Sequence, residues 1–505
     1  MKNLKLKSKS IVVCASVFFF SGCSESLNTV PITDDIYSSA AGAQILVDAT
    51  SAEQAMRNVN AIFSDEYWQF DYFVAGDAGS DVAYAGADQD TFFQIDEYRM
   101  LSTNYVVARD YGHIVDQVNR CNLILNYVDG VPDLAPERKE EMKGEASLFR
   151  ALCRFQGVQT WGDFPLVGTY VTDITADNFD TVYPILYPTR KPMSEVYAAI
   201  IADCEVALAK APTSTSAPSS KFRASKGAAN ALLAKVYATM PNPDWNKCKQ
   251  YCDAVIAGGY TLLPAFGQLF DNAHEGNAES IWEANGAGPG SPINSWTTDV
   301  FQGQNWKKFN TPSHSIYNAF AANNEGGATT PAPSNPIKRG DVSILRKPTS
   351  FSDPYWTQLF KFPYPNKFRK TDGTQNFYLF RLADIILLKA EALAHTGDLP
   401  GALTLVNQVR TRASQPNLTP FSSMDDAINK ILKERFTELA FEGQRWFDLK
   451  REGKAIEILS QQTYTKNGVE IPMPYIGNLN QNDLLWPIPQ AVLDNNPNLT
   501  QNPGY

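Results

Sequence analysis

The sequence predicts a mostly α-helical protein in which tetratricopeptide-like helical hairpins support a long irregular, loop-rich region. Apolar residues recur at three- and four-residue spacing in paired segments such as 377–394. Gly397 and Asp398 then make a tight turn into a second apolar-faced helix, as in a helical hairpin. Residues 286–375 are instead rich in Gly, Pro, Asn, Ser and Thr. Because irregular stretches of this length are usually functional, we expect a ligand-binding region there.

The N-terminus is predicted to be a targeting segment, residues 1–22. Four lysines precede the apolar run Ile11–Phe20, which is too short to span a bilayer. Small residues directly before Cys23 are typical of a site where a signal peptide is removed and the cysteine receives a lipid. We expect Cys23 to be lipidated, with an ordinary signal peptide as the alternative. Residues 23–50 are then a polar tether, and 51–505 form the folded domain.

The first part of the domain is predicted to be a helix followed by a loop. From Ser51, an apolar periodic run leads into the aromatic stretch Tyr67–Phe73 and predicts one packed helix. The glycines and aspartates of Gly76–Asp90 interrupt it. A calcium loop is the alternative, but the EF-hand spacing and its terminal Glu are missing. The prediction is a polar surface loop with Tyr84 exposed.

Further amphipathic segments predict roughly four helical pairs, enough for a stacked core. The expected helices are 103–128, 136–160, 193–210, 224–240 and 244–257, followed by the hairpin that begins at 377. The scaffold thus covers about 103–161, 193–283 and 377–454. Residues 167–192 are β-branched and proline-rich, which predicts an extended crossing segment, and 286–375 remain as the loop-rich ligand region.

Three glutamates in the last part of the scaffold have either a catalytic or a structural role. Glu434, Glu438 and Glu442 share one face at four-residue spacing, with Arg435 and Arg445 within reach. They could form a carboxylate cluster for acid/base chemistry or an ion-pair network holding the last helix to the hairpin. We favour the network, because no nucleophile, histidine or metal ligand stands beside them. The sequence therefore assigns no catalytic residue, metal or cofactor.

Composition and motifs argue against several functions. The formal net charge is -10, the pI is near 5.1, and no basic block follows residue 9, which disfavours nucleic-acid binding. The four histidines form no zinc motif, and no nucleophile elbow or phosphate-binding glycine loop is found. A glycosidase, which needs only two carboxylates brought together in space, stays open as an alternative. Cys248 and Cys252 are one helical turn apart and are predicted to be buried thiols.

Residues 434–454 read Glu-Arg, Glu-Leu, Glu-Gly, Arg-Trp, Asp-Leu, Arg and Gly-Lys in that order. This segment resembles the signature of the SusD/RagB family of cell-surface nutrient-binding lipoproteins. The stretches 144–166, 258–283 and 486–505 are similar to the same family. The resemblance implies a SusD-like fold, a lipid anchor in the outer membrane facing the exterior, and a SusC-like TonB-dependent transporter as partner. It also implies a nutrient ligand, either a glycan or a peptide.

The expected site follows from the chemistry of sugars. A site that binds them needs flat aromatic rings to stack on the sugar rings, and amides or carboxylates to bond the hydroxyl groups. Asn294 and Trp296 offer this mixture. A second instance is Trp306, which is preceded by Gln302, Gln304 and Asn305. Trp296 and Trp306 are the first candidates, and Asn294, Tyr84 and Asp81 follow. Plain packing is the alternative for each tryptophan, and a protein-binding helical scaffold is the alternative for the whole chain.

Overall fold

The computed structural model describes residues 45–85, 90–271, 273–286, 297, 301, 309–323, 338–345, 363–370, 372–466 and 469–505. All of them belong to the unit Ala43–Tyr505. Within these ranges, no helix has both the length and the apolar character needed to cross a membrane. The predicted lipidation site, Cys23, lies outside the described residues.

Helices dominate the described chain, as predicted. They are α1 (Ala49–Asn60), α2 (Asp90–Asp96), α3 (Tyr105–Tyr127), α4 (Pro136–Trp161), α5 (Phe179–Leu186), α6 (Met193–Lys210), α7 (Lys226–Thr239), α8 (Trp245–Ile256), α9 (His314–Ala322), α10 (Arg339–Ser343), α11 (Leu382–His395), α12 (Leu399–Arg412), α13 (Met424–Glu438), α14 (Arg445–Arg451), α15 (Ala455–Leu459) and α16 (Gln490–Asn495).

The strands are short and pair antiparallel in twos. They are β1 (Ala83–Tyr84), β2 (Phe164–Pro165), β3 (Arg190–Lys191), β4 (Ser280–Ala284), β5 (Thr311–Pro312), β6 (Ile344–Leu345), β7 (Tyr364–Pro365), β8 (Phe377–Arg381), β9 (Thr463–Lys466) and β10 (Val469–Pro472). The pairs are β1 with β5, β2 with β3, β4 with β8, β6 with β7, and β9 with β10.

The long helices form one continuous row. Each of α3, α4, α6, α7 and α8 packs against the next, α8 packs against α11, and α11 contacts both α12 and α13. The helix pairs predicted from periodicity are confirmed. Close approach depends on small residues: a Cβ on Gly144 of α4 would lie 2.2 Å from the backbone nitrogen of Ala211 at the end of α6. Only glycine fits there without moving the backbone.

The C-terminal hairpin has the predicted turn but starts later than predicted. Gly397 adopts φ +91°, and the Asp398 side chain accepts a hydrogen bond from the backbone N–H of Gly401 at 2.9 Å. Residues 377–381, predicted as the first turns of the helix, form strand β8 instead. The apolar run in these residues is compatible with both a strand and a helix. It forms a strand because its backbone pairs with β4.

The N-terminal helix differs from its prediction at both ends. Asp48, not Ser51, is the N-cap of α1, and the two side chains bond to each other's backbone N–H in a capping box. Residues 45–50, expected in the tether, thus already belong to the folded body. The chain then continues through a 3-10 turn and the two wide helical turns Tyr67–Asp71 and Val74–Ala78, where a single helix was predicted. The widened turns bury nearly every side chain of this stretch.

Two other predictions concern the crossing segment and the thiols. Residues 167–192 are largely extended, as predicted, but include the short helix α5. Cys248 and Cys252 are free and buried, as predicted, and Cys121, Cys153 and Cys204 are too.

Candidate functional site

The two loops selected from the sequence meet in the structure. Strand β1 pairs antiparallel with β5, with Ala83 opposite Pro312 and Tyr84 opposite Thr311. The chain around β1 leads into residues 86–89, and the chain before β5 follows residues 302–308. We call the described residues of this meeting point, Asp77–Ala85 and Phe309–His314, the loop junction. It is the place from which both candidate ligand segments extend.

Tyr84 is a structural element of the loop junction. Its phenolic oxygen accepts a hydrogen bond from the backbone N–H of His314 at 3.0 Å and lies 2.9 Å from Nδ1 of the same histidine. Burial lowers the pKa of His314 to about 4, so its ring is neutral at pH 7. Tyr84 is 2 % exposed. The predicted exposure of Tyr84 is therefore wrong, because its hydroxyl is used to join β1 to the start of α9.

Asp81 is also buried and has a structural partner. Both of its carboxylate oxygens pair with Arg445, from Nε at 2.7 Å and from the second guanidinium nitrogen at 2.9 Å. Its backbone carbonyl accepts a hydrogen bond from Ser313 Oγ at 2.5 Å. Such a bidentate pair fixes both groups in orientation. Asp81 thus ties the loop junction to the Arg-Trp part of the C-terminal signature.

A second contact to the signature is made by Gly76 and Asp77. A Cβ on Gly76 would lie 2.1 Å from the carbonyl oxygen of Gly443, so the two backbones touch. The Asp77 carboxylate accepts hydrogen bonds from the backbone N–H of Gly443 at 3.2 Å and from Asn310 Nδ2 at 3.2 Å. Burial raises the pKa of Asp77 to about 8. The region predicted as a polar surface loop is in fact buried from 76 to 85.

Residues next to the candidate tryptophans are anchored on the wide helical turns. Thr297 Oγ1 donates to Gln69 Oε1 at 2.7 Å. The ring of Phe301 lies 5.7 Å from that of Phe70, and the ring of Phe309 lies 4.8 Å from it. These contacts fix three points of the loop-rich region against the N-terminal part of the domain. They also give Gln69 and Phe70 a role that periodicity alone could not have indicated.

Three of the predicted ligand residues, Asn294, Trp296 and Trp306, lie outside the described residues. In the sequence, Trp296 directly precedes the anchored Thr297, and Trp306 stands between the anchored Phe301 and Phe309. The structure thus brings the described neighbours of all three into one area beside the loop junction. Their assignment to ligand contact stays a prediction.

Beneath this area lies the ion-pair network predicted from the three glutamates. Its carboxylates are Glu279, Glu434, Glu438 and Glu442, and its cations are Arg339, Lys367, Arg381, Arg410 and Arg412. The structural role is confirmed, but the expected partners are wrong. Arg435 pairs with Asp384 and Asp448, and Arg445 pairs with Asp81.

The network joins the loop-rich region to the scaffold. Arg339 of α10 donates to Glu434 at 2.5 Å and to Glu438 at 3.0 Å, and Lys367 donates to Glu442 at 2.7 Å. Burial alone would raise the pKa of Glu438, but the guanidinium groups around it hold that pKa well below its usual range. Glu438 is therefore charged at neutral pH and saturated with donors. Neither Arg339 nor Lys367 could be placed here from sequence, since both lie in stretches without periodicity.

A small cleft lies beside the C-terminal signature, lined in part by Tyr98, Trp446, Trp486 and Tyr505. Its rings serve mainly as packing: Tyr98 stacks against Trp446 with centroids 6.4 Å apart and an angle of 21°. Tyr98, Trp446 and Trp486 are each less than a tenth exposed. Little ring surface is left for a ligand in this cleft. Among the described residues, no group of three His, Cys, Asp or Glu side chains is arranged to hold a metal ion.

Comparisons with known proteins agree with this architecture. A family model described as the SusD family matches residues 301–505, and one described as starch-binding associating with outer membrane matches 38–238. SusD-like protein P2 of Formosa agariphila is 28 % identical over 72 % of this chain and 73 % of its own length.

Solved structures show the same fold. A laminarin-binding SusD-like protein superimposes with a TM-score of 0.69 at 24 % identity, covering 91 % of this chain and 100 % of its own. A SusD-like protein from Bacteroides fragilis gives a TM-score of 0.74 at 21 % identity, covering 92 % of this chain and 99 % of its own.

Proposed function

The chain belongs to the SusD/RagB family, and we propose that it captures an oligosaccharide or polysaccharide at the cell surface for a TonB-dependent outer-membrane transporter. The observation that carries this proposal is the loop junction. The β1–β5 pairing and the anchors at Thr297, Phe301 and Phe309 hold the ends of the aromatic and amide-rich segments together. The laminarin-binding relative with the same fold supports a glycan as the ligand class.

In this proposal, Trp296 and Trp306 stack on sugar rings while Asn294 bonds their hydroxyls. Asp81 and Tyr84 act indirectly: they are engaged with Arg445 and His314 and keep the loop junction in place. Glycan held on such a platform would be handed to a SusC-like transporter.

A binding role is favoured over hydrolysis by the state of three buried carboxylates, Asp77, Glu283 and Glu438. A glycosidase needs an acid with a raised pKa that can reach the substrate. Glu438 is held ionised by arginines, whereas Asp77 and Glu283 have raised pKa values of about 8 and about 7 because they are deeply buried. Each is occupied by protein hydrogen bonds. We therefore propose no catalytic residue and no cofactor.

The test is glycan binding by soluble protein from residue 24 onward, measured by isothermal titration. Trp296→Ala and Trp306→Ala should each weaken binding by about 1 to 3 kcal/mol, by analogy with bases stacked on aromatic side chains. The Trp→Phe variants, which keep a flat ring, serve as controls and should lose less. Unchanged affinity in both alanine variants would contradict the site, and release of reducing ends would favour the hydrolase. A peptide that binds where glycans do not would assign the protein to peptide capture.

The membrane location is proposed from the sequence at Cys23. A lipid on this cysteine would place the domain on the membrane surface, and the model that matches residues 38–238 is described as associating with outer membrane. Cys23→Ser should release the protein into the soluble fraction. Membrane retention of that variant would count against lipidation there.

A further inference from the structure

Three aromatic rings lie in a row on the surface, on helix α5 and the residue that follows it. Phe179 is 46 % exposed, Tyr183 is 36 % exposed and Tyr187 is half-buried. The ring centroids of Phe179 and Tyr183 lie 5.6 Å apart, and those of Tyr183 and Tyr187 lie 4.8 Å apart. Four-residue spacing along the helix brings each ring into contact with the next. Ile174, also 46 % exposed, precedes the rings in the same segment. Neighbouring exposed apolar side chains of this kind are candidates for a binding surface.

The segment that carries this aromatic row is held at both ends. Before the helix, Asn126 of α3 donates to the carbonyl of Gly168 at 3.1 Å and accepts the backbone N–H of Tyr170 at 2.8 Å. After it, Asn498 Nδ2 donates to the carbonyl of Tyr187 at 2.8 Å, and Arg190 donates to the carbonyl of Trp161 at 2.8 Å. The row therefore does not need to be ordered by its ligand, which lowers the entropic cost of binding.

The charge around the row selects among possible ligands. Residues 167–189 contain Asp173, Asp177 and Asp180, and the basic residues that follow are Arg190, which donates to backbone carbonyls, and the exposed Lys191. All three aspartates are exposed. They would repel uronate or sulfate groups, whereas their oxygens can accept hydrogen bonds from sugar hydroxyls. Flat rings on a segment whose exposed carboxylates can accept hydrogen bonds from hydroxyl groups fit a neutral glycan.

The orientation of the rings narrows the ligand further. The planes of Phe179 and Tyr183 are inclined by 51°, and those of Tyr183 and Tyr187 by 34°. A flat crystalline polysaccharide surface cannot lie against all three rings at once. A single soluble chain, which can turn from one sugar to the next, can follow them.

We propose that Phe179, Tyr183 and Tyr187 form a second glycan-binding subsite for a soluble, neutral polysaccharide chain. This inference rests on the proposed glycan-binding function and adds a second point of contact to it. A polymer that meets both sites is held more tightly than a short oligosaccharide, because the second contact is made at high effective concentration. The subsite thus favours long chains over short ones.

Affinity electrophoresis in gels that contain a polysaccharide tests the subsite. The probes are soluble neutral polysaccharides, laminarin among them, each paired with a carboxymethylated preparation of the same polymer. The double variant Phe179→Ala/Tyr183→Ala should bind the neutral polymer about tenfold more weakly than the wild type. The matched control, Tyr105→Ala, removes another ring that is 49 % exposed and should leave binding unchanged. Wild-type protein should bind each carboxymethylated polymer less well than its neutral parent.

The other outcomes separate the two proposals. If Phe179→Ala/Tyr183→Ala binds like the wild type while Trp296→Ala/Trp306→Ala does not, the subsite is refuted and the proposed function stands. If the wild type is retained by no polysaccharide, the proposed function fails and the subsite fails with it. If the Phe179 and Tyr183 variant binds glycan normally but no longer copurifies with a membrane protein, the row is a protein contact and the subsite is refuted. Circular dichroism confirms that each variant is folded.

Discussion

Asp77 links two distant parts of the chain through a carboxylate that lies inside the protein. It accepts hydrogen bonds from Asn310 in the loop-rich region and from Gly443 in the C-terminal signature. Burial is the main reason that its pKa is raised to about 8, and the two hydrogen bonds oppose this only in part. A protonated carboxyl at this position is thus the form that the folded protein prefers at neutral pH.

We expect Asp77→Asn to change how stability depends on pH. In the wild type the folded state keeps the Asp77 proton up to about pH 8, whereas the unfolded chain loses it near pH 3.8, the usual pKa of an aspartate. The contribution of this group to the free energy of unfolding is largest below the unfolded pKa and is lost as the pH rises through the folded pKa. The free energy of unfolding falls over this range by up to about 1.4 kcal/mol per pH unit. Asparagine does not titrate. The free energy of unfolding of Asp77→Asn should therefore lie further below that of the wild type at acidic pH than at alkaline pH.

Urea unfolding of both proteins at about pH 5, 7 and 9 measures this difference. The exposed Asp177→Asn serves as the control and should show the pH dependence of the wild type. If the free energies of unfolding of Asp77→Asn and the wild type differ by the same amount at all three pH values, the raised pKa of Asp77 is contradicted.

The contact between the wide turn Val74–Ala78 and the turn after α13 depends on backbone touching backbone. A Cβ on Gly76 would lie 2.1 Å from the oxygen and 2.6 Å from the Cα of Gly443. No side-chain rotation can relieve such a clash, because the opposing atoms are main chain. Gly443 itself adopts φ +69°, which further restricts it to glycine. These two glycines fix the distance between the N-terminal and C-terminal parts of the site.

Gly76→Ala should therefore destabilise the protein by about 3 kcal/mol or more. The control is Gly112→Ala in the exposed part of α3, where an added Cβ meets nothing within 4 Å. That substitution should stabilise the protein by about 0.5 to 1 kcal/mol, because alanine favours the helix. Thermal unfolding of the two variants compares them directly. Equal changes in the unfolding temperature of the two variants would show that the backbone contact between Gly76 and Gly443 can separate at little free-energy cost.

The elements that sequence predicted well are those with long helical periodicity. Helices α3, α4, α6, α7 and α8 follow the predicted segments within a few residues. Strand β8 was mistaken for helix because its apolar residues fit both periods, and only its partner β4 decides between them. The glycines and aspartates of 76–85 indicated a surface loop, since sequence could not show that Arg445, Gly443 and His314 would surround them.

At the scale of the whole domain, the helical row is tied at both ends. Its α11 and α13 end is joined to the loop-rich region by the buried network around Arg381 and Glu438. Its α3 and α4 end is covered by the last residues of the chain: the N–H of Trp486 donates to Thr160 at 2.8 Å, and Asn502 Nδ2 donates to Trp161 at 2.9 Å. Helical repeats without such ties can fray from one end, whereas this arrangement favours unfolding as one unit.

The five buried thiols in the described part of the chain report whether the row opens as one unit. They lie on α3, α4, α6 and α8, at Cys121, Cys153, Cys204, Cys248 and Cys252. If the tied row opens only globally, all five should react with a thiol reagent at one rate, and this rate should track the equilibrium stability in low urea. A variant that ends before Trp486 removes the cover from α3 and α4. In it, Cys121 and Cys153 should react faster than the two thiols on α8. Mass spectrometry of partly labelled protein distinguishes the cases, and early labelling of Cys121 in the intact domain would show that its first helices fray independently.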